Sequence, residues 1–158
     1  MEHRDRIKQL AFLVGSGLEG YVEVHDYIHQ QSATLKSTFK NLLGQGVSNE
    51  QLLNSAEALV PAWANIRTSV TDFEHASAST LTPDETRYLD ILSRYVDAIE
   101  LTVQALVERQ RLLLGRAMNA TNVTRGVFGE AERNYQDRIN NYMALGQELN
   151  DAAPLIFS

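Results

Sequence analysis

The chain has 158 residues, 44% of them apolar and 22% charged, with a formal charge of −6 and no cysteine. That balance supports one well-buried core and is not that of a disordered chain. The acidity argues against a nucleic-acid partner held by phosphate neutralisation, and the missing cysteine rules out disulfides and thiolate zinc sites.

Four helices are predicted, each from apolar residues that recur at alternating spacings of three and four. The first covers 4–43, with a stripe of Ile7, Leu10, Val14, Gly17, Tyr21, Val24, Ile28, Gln31, Leu35, Thr38 and Leu42. At 1.5 Å per residue it is ~60 Å long. The run Leu10 to Val14 follows Arg4, Arg6 and Lys8 in the manner of a signal peptide, but it is short and soon meets Glu19 and Glu23, so it reads as helix. Gly44-Gln45-Gly46 supplies the stop, because glycine takes the left-handed cap conformation cheaply.

The second helix covers 49–77 and opens on a capping box of Ser48 and Gln51. Its stripe is Leu52, Ala56, Leu59, Trp63, Ile66, Val70 and Phe73, with Pro61 on the outer face, where it removes one backbone bond and favours a bend. The third covers 83–117. Thr82-Pro83-Asp84-Glu85 gives it an N-cap, a proline at the first helical position and acids at the positive dipole end. Its stripe is Leu89, Leu92, Val96, Ile99, Val103, Leu106, Gln110 and Leu113. The fourth covers 122–152 and carries Phe128, Ala131, Tyr135, Arg138, Tyr142, Leu145 and Leu149 before Pro154 ends it.

Short connections between long helices set neighbours antiparallel. The expected fold is therefore all-α: a single-domain, up-down-up-down four-helix bundle over residues 1–158 with coiled-coil-like heptad packing. The sizes and order of the helices resemble the four-helix ligand-binding domains of bacterial chemoreceptors, whose ends also meet at one end of the bundle. That likeness is one of architecture and implies a ligand-sensing bundle. The membrane segments such receptors use are not expected here, since no apolar run nears the roughly 18 residues of a span. The composition suits the cytoplasm and also a bacterial periplasm.

Three groups of residues are candidate sites. His25 and His29, four apart, stack on one helix side as metal ligands often do. Asp26-Tyr-Ile-His29 and Asp72-Phe-Glu-His75 echo the E-x-x-H pairs of ferritin-like carboxylate sites. A tight turn at Gly44 to Ser48 would hold the two histidines about ten residues, or ~15 Å, apart in level, and His75 points outward. No metal and no cofactor is expected, and His25 and His29 read as solvated.

The second group interrupts the stripes. Arg138 falls level with the third helix near Leu101, where Glu100 is its expected partner. Gln31, Trp63, Glu100, Tyr135 and Arg138 then either fix the helix register or line a small-molecule pocket. By the same level-matching, Gly15, Gly17 and Gly20 face Ala76 to Ser79.

The third group is at the ends. Leu10, Phe12 and Leu13 make the first helix apolar beyond its stripe, and Leu155, Ile156 and Phe157 arrive at the same end of the bundle. The tail either covers this overhang or leaves a patch for a protein partner or a second copy.

No G-x-S-x-G, glycine-rich phosphate loop or H-E-x-x-H motif is present, so no enzyme is expected. The expected function is protein–protein contact, with self-association through the Leu10 to Val14 and Leu155 to Phe157 end. The alternative is small-molecule binding in the mid-bundle pocket.

Overall fold

A computed structural model describes residues 2–32, 48–118 and 122–158, with Gln31 and Ser32 as backbone only. The chain is all-helical, and four long helices pack against one another as a four-helix bundle. They are α1 (Glu2–Ser32), α2 (Asn49–Ser77), α3 (Pro83–Ala117) and α4 (Arg125–Ala152), followed by the four-residue α5 (Pro154–Phe157). The stretch expected to carry the first helix to residue 43, and the stop at Gly44 to Gly46, lie outside the described residues. Among those residues no helix is long and apolar enough to cross a membrane.

The caps follow the sequence chemistry. The backbone N–H of Gln51 donates to Ser48 Oγ at 3.2 Å, and the backbone N–H of Ser48 donates back to Gln51 Oε1 at 3.0 Å. At α3, Thr82 Oγ1 accepts from the Glu85 backbone at 3.3 Å while Glu85 Oε2 accepts from the Thr82 backbone at 2.8 Å. These reciprocal bonds satisfy donors that a helix start leaves bare. Thr124 caps α4 through Val127, which puts the start of that helix at Arg125 instead of 122. α2 runs on through Pro61, which is exposed.

Pairwise contacts fix the direction of every neighbour. His3 lies against Phe73, and Gly17 against Ile66 and Trp63, so α1 and α2 are antiparallel. Arg67 meets Asp97 at 3.0 Å and Arg111 meets Glu57 at 3.0 Å, so α2 and α3 are too. Arg94 bonds Glu148 at 2.7 Å, while Arg109 bonds Glu132, setting α4 antiparallel to α3. Phe12 with Phe157 and Tyr21 with Tyr135 close the ring between α1 and the α4–α5 end.

The core is built from the predicted stripes: Ile7, Leu10, Val14, Tyr21 and Ile28 of α1, Ala56 and Trp63 of α2, and Leu92, Ile99 and Leu106 of α3 are all buried. α3 is central because it carries a second buried stripe, one residue round from the first. Tyr88, Ile91, Tyr95, Ala98, Thr102, Ala105 and Arg109 are buried as well. The second stripe faces α4: Tyr95 lies against Tyr142, and Thr102 Oγ1 reaches the Arg138 carbonyl at 3.2 Å.

One expected register is corrected. Gly17 faces Ile66 and Trp63, well upstream of Ala76 to Ser79 on α2. A Cβ on Gly17 would overlap the tip of Ile66 and sit 3.2 Å from the Trp63 ring, so glycine is what lets the two helices close over the tryptophan.

Candidate functional site

Tyr21 lies on the α1 stripe and Tyr135 on the α4 stripe, so the bundle brings both into its interior, where a phenol hydroxyl needs a partner. Each supplies the other: their hydroxyl oxygens are 2.8 Å apart, and both residues are buried. The Tyr135 hydroxyl also meets His25 Nδ1 at 2.6 Å. The result is a hydroxyl–hydroxyl–imidazole chain tying α1 to α4, with the Tyr142 ring edge-on to Tyr21 at 5.7 Å. The His29 ring stacks on His25 with centroids 4.0 Å apart, and His29 Nδ1 donates to the His25 carbonyl at 2.9 Å.

Burial raises Tyr21 and Tyr135 far above the ordinary phenol range; neighbouring tyrosines add to the rise at Tyr21, whereas the Tyr21 hydrogen bond partly offsets it at Tyr135. Neither becomes a phenolate near neutral pH, and neither is an activated nucleophile or base. Burial also lowers His25 below the usual histidine range, and the nearby His29 and Arg109 push the same way. His25 is therefore a neutral hydrogen-bonding group at neutral pH. The chain holds two helices together; its groups are not tuned to move protons to a substrate.

Next to it lies a second polar layer. Arg109 is buried on the α4-facing stripe of α3 and donates to Glu132 Oε2 at 2.5 Å and to Gln110 Oε1 at 2.6 Å. Its guanidinium sits 5.7 Å from the Phe128 ring, with Arg116 at 5.5 Å from the same ring. Gln110 is fully buried, and its amide Nε2 has no hydrogen-bond partner among the described residues.

The residues expected to form one pocket are dispersed. Glu100 pairs with Arg67, at 3.4 Å, and not with Arg138. Arg138 is half-buried on α4, where its carbonyl accepts from Thr102. Trp63 is sealed against Gly17 between α1 and α2, Tyr135 belongs to the hydroxyl chain, and the Gln31 side chain lies outside the described residues. The interior cation with a carboxylate partner is Arg109, which the sequence reading missed. Its position beside Gln110, at three-four spacing from Thr102 and Ala105, was the available signal.

His25 and His29 each engage Nδ1 with the protein. Among the described residues no group of three or more His, Asp or Glu side chains converges as metal ligands would.

The apolar end divides. Leu10 and Ile156 are core residues, and Leu155 is half-buried. Arg4 Nη2 donates to the Leu155 carbonyl at 3.0 Å, fastening α5 to the start of α1. Phe12 (73% exposed), Leu13 (42%) and Phe157 (44%) remain open to solvent. Phe12 and Phe157 stand edge to face with centroids 6.5 Å apart. Beside them a groove of about 320 Å³ runs between α1 and α4, with Ala11, Gly15 and Leu18 on one wall and Gly146 and Ala153 on the other. Tyr88 and Tyr95 form its floor.

Compared with known protein families, curated proteins and solved structures, the chain matches none.

Proposed function

We propose that this protein is a non-catalytic helical bundle that works by protein contact, and that it self-associates through the end formed by α1 and α5. The observation that carries the reading is the pairing of Phe12 and Phe157 on the surface. Single exposed apolar residues are ordinary, but a contiguous aromatic pair next to an apolar groove is the usual mark of an interaction surface. α5 strengthens the reading: Ile156 and the Arg4 bond anchor the tail, so Phe157 is presented on a fixed element and does not trail from a loose end. The interior gives catalysis little to use, because its tyrosines are held as neutral phenols.

The test is sedimentation of wild type, Phe12→Asp and Phe157→Asp at several concentrations. Wild type should gain mass with concentration, and either aspartate should abolish the gain while leaving the helical spectrum intact. Variants that associate as wild type does would remove the support for this surface.

A second reading, small-molecule binding inside the bundle, draws on one feature: the buried Gln110 amide, without a partner among the described residues, next to the buried Arg109 guanidinium. Together they offer donors to an oxygen-rich ligand. A thermal-shift screen in which carboxylate ligands stabilise wild type over Gln110→Leu would favour it.

A further inference from the structure

Gly15 and Gly20 both lower the helix stability of α1 relative to alanine, yet a Cβ at either would meet nothing within 4 Å. Gly17 has a reason inside the fold; these two have none. Gly15 stands on the rim of the groove between α1 and α4, so the missing side chain leaves room there for something from outside. The groove floor is aromatic: Tyr88 and Tyr95, both more than nine-tenths buried, line it.

Charge identifies the occupant. On α1, Arg4, Lys8, Ala11, Gly15, Glu19, Val22 and Asp26 follow one another at three- and four-residue steps and so lie along one flank. That flank is basic before Gly15 and acidic after it. Two copies laid parallel would set Arg4 against Arg4 and Glu19 against Glu19. Laid antiparallel about Gly15, they set Arg4 against Asp26 and Lys8 between Glu19 and Asp26 of the other copy. The same arrangement sets Phe12 of the second copy level with Leu18.

We infer that the second copy docks antiparallel along α1, with the two Gly15 residues at the crossing and the basic half of each flank against the acidic half of the other. The inference rests on the self-association proposed above and specifies its geometry. The contact is isologous, as a two-fold dimer requires, and its Gly15 approach is as close as glycine allows.

The chain has no cysteine, so a single introduced thiol reports cleanly. Under mild oxidation Gly15→Cys should form a covalent dimer and Asn54→Cys, exposed on α2, should not. Gly15→Leu should keep or raise the monomer's thermal midpoint while weakening association at least tenfold. Asp26→Lys and Lys8→Glu should each weaken association. If wild type associates but Gly15→Cys does not cross-link and Gly15→Leu dimerises normally, this geometry is wrong and the self-association stands. A wild type that stays monomeric at every concentration overturns both.

Discussion

Gly17→Ala measures how tightly α1 closes over Trp63. Alanine in mid-helix gains about 1 kcal/mol over glycine from propensity alone. At Gly20 that gain should appear in full, because the added methyl enters open space. At Gly17 the methyl overlaps the Ile66 tip and lies 3.2 Å from the Trp63 ring. Ile66 can rotate, whereas the fully buried indole cannot withdraw, and overpacking of this kind costs about 1–3 kcal/mol. Propensity cancels between the two variants, so Gly17→Ala should be less stable than Gly20→Ala by that same ~1–3 kcal/mol. For a chain of this size the gap corresponds to about 2–12 °C in thermal midpoint. Urea unfolding followed by circular dichroism, at equal slope, gives the number. A Gly17→Ala protein as stable as Gly20→Ala would refute the close approach and the α1–α2 register with it.

Three further outcomes are expected. Tyr135→Phe removes the hydroxyl shared by Tyr21 and His25 and leaves both polar groups short of a partner, at a cost of about 1–3 kcal/mol in urea unfolding; an unchanged midpoint would mean the chain is not a tie. His25 is held below the usual histidine range in the folded protein, so the unfolded chain takes up its proton first as pH falls. Wild type should therefore lose thermal stability on acidification below about pH 6.5, and His25→Gln should lose less over the same range; parallel profiles would contradict the buried, neutral assignment. Thr82→Ala breaks the capping box at α3 and should cost about 1 kcal/mol; the Glu85 carboxyl, held below the usual carboxylate range chiefly by the residue-82 backbone N–H, which alanine keeps, and less by the Thr82 hydroxyl, should titrate only slightly higher by NMR.

The bundle was legible because its signals are local. Ser48 with Gln51 and Thr82 with Glu85 cap where their spacing says, and the stripes from Leu52 to Val70 and from Leu89 to Gln110 are buried as their period requires. The α1–α2 register was not legible, since it depends on how the chain passes between the helices and not on the period within them. The polar interior was misassigned for a related reason. A single-seam reading of α3 put its weight on Arg138 across the bundle, whereas a central helix buries two adjacent stripes, and the second brings Arg109 to Glu132. The hydroxyl chain was out of reach because Tyr21, His25 and Tyr135 meet only once α1 and α4 are neighbours. The end patch was legible in composition, but its division into buried Leu10 and Ile156 and open Phe12, Leu13 and Phe157 follows from α5 folding back on α1.

Equilibrium sedimentation of the wild-type chain over a wide concentration range decides between a self-associating protein and a monomer. The protomer is 17.7 kDa, and the apparent mass should rise with concentration toward twice that value. A mass fixed at the protomer value throughout would contradict it.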